Sequence, residues 1–371
     1  MSSEIIAGIC DAMGEQGLDA VVTVSPENFA YVNGFVVPSQ PLMRWRHAIS
    51  LVQAVGQRAI LAVDMEESTI RSKLPDVDLR VWSEFTDKPM QVLSELLSDM
   101  GLAKGKLALE LDYLSASDFS SLSACLPDAR FSAADELLAR RRQIKTHPEI
   151  EKLRKLSLIA DQSISDALQQ VSAGDTEMDI AAALTQGVYA MGADSFKLMI
   201  VATGERSVYP NVGPSTRELR SGDVCRVEIF AVQDGYQAGV CRTAVVGEAP
   251  PESERIWQHL VECKYMVMDM IRPGASSRAI YDAFTTHMKK LDLTPISFIG
   301  HGIGLQLHEK PYLSRYSDVP LEAGMVLGIE PLVYDTGFGF GMQNKDMFLV
   351  TESGCELLSN HTDTDQLIVI P

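Results

Sequence analysis

Between Gly300 and Glu309 the chain reads Gly-His-Gly-Ile-Gly-Leu-Gln-Leu-His-Glu, which sets two imidazoles seven positions apart among three glycines. Imidazole is the side chain that exchanges a proton, or holds a metal, near neutral pH. The alternation of Ile303, Leu305 and Leu307 predicts a short strand, with His301 and His308 projecting from its opposite ends. Two glutamates join them. Glu330 lies in the apolar run Val326-Leu327-Gly328-Ile329, and Glu228 in the run from Val224 to Ala231. A carboxylate in such surroundings is costly unless it is paired or used. A carboxylate acting as general base on water, with a histidine donating to the leaving atom, is the chemistry such a set supports. Lys345, in Gln343-Asn344-Lys345-Asp346, adds an ammonium able to neutralise those carboxylates. Cys241, in Ala238-Gly239-Val240-Cys241-Arg242, reads either as a small buried hydrophobe or as a thiolate nucleophile beside Lys345 or a histidine.

The elements that must position these groups form two blocks. Residues 1–140 alternate strand and helix signals and read as an α/β domain, with strands at 20–24, 48–54, 59–63 and 106–110 and helices near 4–18, 90–101 and 115–125. The basic run Arg140-Arg141-Arg142-Gln143-Ile144-Lys145 reads as a solvated linker at the junction. Residues 141–371 open with a helix from Pro148 through Leu153, Leu156 and Ile159, followed by a helix at 176–191 capped by Thr176. Strands at 196–202, 224–232 and 237–246 come next, the last two joined by an Asp234-Gly235 turn. Helices at about 252–271 and 276–291 precede the histidine segment, and strands at 325–334 and 341–351 close the chain. No internal repeat stands out.

Composition narrows the function classes. The chain has 371 residues, and its formal charge of −18 argues against nucleic acid or an anionic membrane surface as partner, since both demand basic patches. No apolar run reaches the length of a membrane span, and Met1-Ser2-Ser3-Glu4 lacks a secretory pattern, so a cytoplasmic location is the expectation. Six scattered cysteines without Cys-x-x-Cys spacing predict reduced thiols rather than a zinc site.

The order Gly-His-Gly-Ile-Gly…His-Glu…Pro-Tyr, then Gly324-Met325-Val326, Ile329-Glu330-Pro331 and Leu349-Val350-Thr351, resembles the pita-bread fold of methionine aminopeptidase, Xaa-Pro aminopeptidases, prolidase and creatinase. Upstream, Gly222-Asp223, Asp234-Gly235-Tyr236 and Arg242-Thr243 extend the resemblance, and Pro26 to Phe35 is similar to the start of the creatinase and prolidase N-terminal domain. The resemblance implies an N-terminal creatinase-like α/β domain followed by a pita-bread catalytic domain. It also implies a homodimer in which the N-terminal domain reaches the partner's site, which brings Arg44 and Arg46 forward as substrate-binding residues.

Metal-dependent members of that family hold two divalent ions with two aspartates, a histidine and two glutamates. The matching positions here are Glu228, Gly239, His301, Glu330 and Lys345. Glycine offers no ligand and an ammonium repels a cation, so the expectation is that Lys345 replaces the metal charge and no cofactor is bound. A single ion on Glu228, His301 and Glu330 is the competing arrangement. Loss of metal resembles the creatinase branch. Creatinase carries a glutamate where Cys241 stands and a catalytic histidine where Asn211 stands, and Arg315 lies near its substrate-contacting arginine. The expectation is therefore a metal-independent hydrolase of an amide, amidine or ureido C–N bond in a small polar molecule. Its catalytic residues would be drawn from Glu330, Glu228, His301, His308, Lys345 and Cys241, with substrate held by Asn211, Arg315, Arg44 and Arg46. The alternatives are a metal-dependent Xaa-Pro dipeptidase or aminopeptidase, a lyase, and a non-enzymatic peptide-binding module.

Overall fold

The computed structural model describes residues 2–371 and divides into two compact units, Met1–Arg142 and Gln143–Pro371. In the first, a six-stranded sheet runs in the order β4-β3-β2-β1-β5-β6, built from β1 (Ala20–Thr23), β2 (Ile49–Gln53), β3 (Arg58–Val63), β4 (Asp78–Trp82), β5 (Lys106–Leu109) and β6 (Arg130–Ala133). The strands β1, β2 and β3 pair antiparallel, while β4, β5 and β6 join in parallel. Helices α1 (Ser2–Gln16), α2 (Pro26–Asn33), α3 (Glu67–Lys73), α4 (Pro89–Asp99) and α5 (Ala116–Cys125) connect them. The last helix, α6 (Asp135–Gln143), overturns the linker reading of the basic run. Arg142 is buried and donates to Asn28 Oδ1, and Lys145 is buried against Glu309 at 3.2 Å. These cations answer specific acceptors in the interior.

The second unit carries the candidate site. Thr146 and Glu149 form a capping box that starts α7 (His147–Gln169), with Pro148 in the first turn where its missing N–H costs nothing. Leu153, Leu156, Ile159, Ala160 and Ile164 recur at helical spacing and are buried. A second capping box, Thr176 with Asp179, starts α8 (Glu177–Ala190). Strands β7 (Ser195–Thr203), β8 (Val224–Gln233) and β9 (Tyr236–Val246) form an antiparallel sheet under these helices, extended in parallel by β17 (Ile368–Ile370). Asp234 (φ 50°) and Gly235 (φ 85°) are both left-handed, which lets a two-residue turn join β8 to β9 without splaying them.

Helices α9 (Pro251–Met270) and α10 (Ser277–Met288) lie on a second sheet, ordered β11-β10-β12-β15-β16. Its strands are β10 (Phe298–Gly302), β11 (Glu309–Ser314), β12 (Val326–Ile329), β15 (Asp346–Val350) and β16 (Cys355–Leu357), while the ribbon β13 (Leu332–Val333) and β14 (Met342–Gln343) lies against β8 and β9. Trp257, Leu260, Phe284, Leu327 and Phe348 belong to the core this half buries.

A repeat that the sequence hides is plain in the backbone. Gly174 N–H donates to Leu219 and Thr176 bridges Glu218; one hundred residues on, Gly274 N–H donates to Leu321 and Ser276 bridges Pro320. Each half is thus a helix pair leading into an antiparallel sheet, and the two sheets meet through reciprocal backbone bonds of 3.2 Å between Cys241 and Lys345. Arg242 braces this seam from beneath, with Nε 2.9 Å from Asp161 and Nη2 2.8 Å from Asp346, which Lys264 also pairs at 3.2 Å. Among the described residues no helix is long and apolar enough to cross a membrane.

Candidate active site

The site grows out of strand register. On β8 and β9, Glu228 lies opposite Cys241 and Phe230 opposite Gly239, and Cys241 in turn bridges Lys345. Directly opposed residues share a face, so Glu228, Cys241 and Lys345 form one row across the seam. From the other sheet, β10 places His301 beside Gly328 of β12, and Glu330 follows at the end of β12. Glycine at 328 leaves room, since a Cβ there would lie 3.4 Å from Lys345 Cε and 3.5 Å from His301 Cε1.

The side chains converge on one ammonium. Lys345 Nζ is 3.1 Å from Glu228 Oε1, 3.4 Å from Glu330 Oε2 and 3.5 Å from His301 Nε2, with the Phe230 ring centroid 4.6 Å away. Burial alone would push this lysine down, but Glu228 and Glu330 outweigh it and hold the ammonium above its ordinary range. Burial likewise pushes Glu330 up, and Lys345 with the two histidines reverses that, leaving the carboxyl at about 2. Glu330 is therefore a buried carboxylate, 4% exposed, whose Oε1 has no hydrogen-bond partner.

The expected strand between the histidines is absent. Residues 304–308 form bends after β10, so the two rings do not point to opposite ends of one element; they stack at 3.7 Å with planes 15° apart. Glycines at 300, 302 and 304 let the chain double back, and Glu309, paired with Lys145 and accepting from Gln306 N–H, ties the loop down. His301 Nδ1 sits 2.8 Å from the Gly302 carbonyl, which only accepts, so Nδ1 carries the hydrogen and Nε2 faces Lys345 and Glu330 (3.4 Å from Oε1). Burial, then His301 and Lys345, lower His308 to about 4, so its ring is neutral at neutral pH.

Other expected residues fall elsewhere. Cys241 is wholly buried, and burial followed by Glu228 pushes its thiol well above the ordinary value, so it is a packed thiol rather than a thiolate. Asn211 is exposed in the loop before β8. Arg315 is exposed and donates to the neighbouring Tyr316 hydroxyl, its guanidinium 4.6 Å from that ring. Within the first unit, Arg46 pairs with Glu84 at 2.8 Å, and Arg44 donates to the Tyr113 carbonyl at the wall of a cavity of about 450 Å³. Both have partners of their own there. Sequence reasoning missed Phe230, Arg226, Tyr334 and Gln343, which surround the cluster. A lone arginine two residues before Glu228 in an apolar strand was the available signal.

This geometry limits which residues could hold metal. A carboxylate at 239 is excluded because the Phe230 ring fills the space: a Cβ on Gly239 would lie 2.2 Å from Phe230 Cε1. The remaining donors Glu228, His301 and Glu330 surround Lys345 Nζ. This set does not fit a pair of divalent ions. A separate grouping, His259, Glu262 and His287, is explained by packing: the rings stack at 3.9 Å and each Nε2 donates to the other residue's carbonyl.

Two family models cover most of the chain. The creatinase/prolidase N-terminal domain matches residues 6–144 and metallopeptidase family M24 matches residues 151–352. An Xaa-Pro dipeptidase of Pyrococcus furiosus is 27% identical over 94% of this chain and 95% of its own. A probable dipeptidase PepE of Mycobacterium tuberculosis is 28% identical over 97% and 94%. Among solved structures, dipeptidase PepE of Mycobacterium ulcerans matches with a TM-score of 0.85 and 26% identity, covering 100% of this chain and 98% of that one. These matches overturn the expected creatinase-like, metal-independent hydrolase of a small polar compound. The relatives that align nearly end to end are named dipeptidases, and the matching family is one of metallopeptidases. The lysine and glycine that prompted that expectation are local departures within a peptidase-like frame. The chain belongs to the M24 metallopeptidase family, with a creatinase/prolidase N-terminal domain.

Proposed function

We propose that this chain hydrolyses the peptide C–N bond of short peptides, with Xaa-Pro dipeptides as its substrate class. The observation that carries the reading is the stacked pair His301 and His308 set against ionised Glu330, in a chain that aligns nearly end to end with dipeptidases. Hydrolysis places the hydroxyl of water on the carbonyl carbon and a proton on the departing nitrogen. Groups that accept and donate protons must therefore face the bond.

Glu330 Oε1 is the acceptor, being ionised and free of hydrogen bonds. The neutral His308 ring, half-buried beside Phe298 and Tyr312, offers an N–H to hold the substrate, and the proton that Glu330 takes from water is the one passed to the departing nitrogen. Lys345 keeps both carboxylates charged within a largely buried site.

The test is a panel of Xaa-Pro dipeptides, Xaa-Pro-containing longer peptides and dipeptides without proline. Each is incubated with purified protein, with and without added manganese or cobalt, and products are identified by mass spectrometry. Release of proline from dipeptides in preference to longer peptides supports the reading. No cleavage of any peptide under any of these conditions overturns it.

A further inference from the structure

Arg226 stands two residues before Glu228 on β8 and is 1% exposed, yet it has no carboxylate partner among the described residues. A buried guanidinium without a counter-ion is expensive, and an aliphatic side chain would suit this strand better. Its Nη donors go instead to neutral acceptors, and its Nε has none. Nη2 donates to the carbonyls of Tyr209 and Pro210, Nη1 donates to Gln343 Oε1 at 3.0 Å, and the guanidinium lies 5.5 Å from the Tyr334 ring centroid.

The consequence falls on Gln343, itself 1% exposed. An amide has a donor end and an acceptor end, and a guanidinium only donates. The carbonyl of Gln343 must therefore face Arg226, which turns its NH2 toward Glu330, 2.9 Å from Oε2. Reversed, the glutamine would press its carbonyl oxygen against a carboxylate oxygen. With Oε2 engaged by Gln343 and by Lys345 at 3.4 Å, Oε1 is the oxygen left without a hydrogen bond, 3.4 Å from His301 Nε2. We propose that Arg226, acting through Gln343, is a positioning residue that fixes the Glu330 carboxylate in the orientation leaving Oε1 free for the reaction. This rests on the reading of Glu330 as the proton acceptor in peptide hydrolysis.

The test compares Arg226→Met, Gln343→Met, the double variant and Arg226→Lys, by kinetics on the best dipeptide and by crystal structure. Each methionine variant lowers kcat by about 10- to 100-fold with KM within about threefold of wild type, because orientation rather than binding is lost. The double variant is no worse than Gln343→Met, since both act through one contact, whereas independent effects would multiply. Arg226→Lys, which still donates toward Gln343, recovers part of kcat. In the crystal, Arg226→Met shows the Gln343 amide turned and the Glu330 carboxylate rotated. A wild-type kcat in either methionine variant, multiplying losses in the double variant, or an unmoved Glu330 in Arg226→Met overturns the proposal. If Arg226→Met does not fold, Gln343→Met decides by kcat and by the Glu330 orientation. If wild type cleaves no peptide, the peptidase reading fails on its own, and the relay is still decided by the crystal structures.

Discussion

Replacing Lys345 with methionine removes one charge from the centre of the cluster while keeping most of its volume. Glu228 and Glu330, 3.1 and 3.4 Å from the ammonium in the native chain, are then left buried and facing each other. Removing one partner of a buried ion pair costs about 3–5 kcal/mol. The direction agrees: Lys345 is the main group holding the buried Glu330 carboxyl below its ordinary value. In a unit of this size each kcal/mol moves the melting midpoint by about 2–4 °C, so Lys345→Met melts about 6–20 °C below wild type at pH 7.

The sign of the pH dependence follows. A depressed carboxyl contributes stability above its unfolded value that is lost as pH falls through its folded value, so wild type keeps this contribution at both pH 7 and pH 5. In the variant, two facing carboxylates hold a shared proton more tightly when folded, so acid stabilises it. The gap is therefore widest at pH 7 and narrower at pH 5. Thermal unfolding followed by circular dichroism at the two pH values measures both quantities. A midpoint within about 2 °C of wild type at pH 7, below the smallest shift worked out above, refutes the reasoning. So does a gap that stays the same at pH 5.

Three further outcomes are expected. Cys241→Ala leaves the rate within about threefold and costs about 1 kcal/mol of packing, and native protein resists iodoacetamide, because the thiol is buried and protonated. Gly239→Ala drives a Cβ into Phe230 and lowers stability by about 1–3 kcal/mol; Phe230→Leu on the same chain restores part of it, measured by denaturant unfolding. Wild type itself loses stability as pH falls below the ordinary histidine value of 6.5. His47, His259 and His308 are all held lower by burial, so the unfolded chain takes up protons first; Asp118, Glu262 and Glu330 oppose this and limit its size.

Local physics made much of this fold legible. Pro148 in a first turn and Thr176 as a cap announced their helices, Asp234-Gly235 announced the hairpin, and apolar spacing at Leu153, Leu156 and Ile159 announced the buried face of α7. The basic run at 140–145 misled because charge density says nothing about acceptors distant in sequence: Arg142 is matched by Asn28 and Lys145 by Glu309. The His301–His308 segment misled because a period of two over five residues is shared by strands and by bends tethered at both ends. The repeat escaped notice because the halves share backbone bonds at Gly174 and Gly274 rather than side chains.

At the site, Glu228 and Glu330 were visible as carboxylates costly to bury, His301 and Lys345 by the motifs they stand in, and the structure gathers all four. Arg226, Phe230 and Gln343 were not. Their roles depend on which residue of β9 or β14 lies beside them, and register between strands far apart in sequence is not carried by either strand alone.

The central claim is that Glu330 accepts a proton during cleavage of a short peptide. Glu330→Gln keeps the size of the side chain and removes the acceptor. Side by side with wild type on the best Xaa-Pro dipeptide, the variant is predicted to fold normally and to lose about two to four orders of magnitude in kcat. A folded Glu330→Gln protein that releases proline at the wild-type rate would contradict the account.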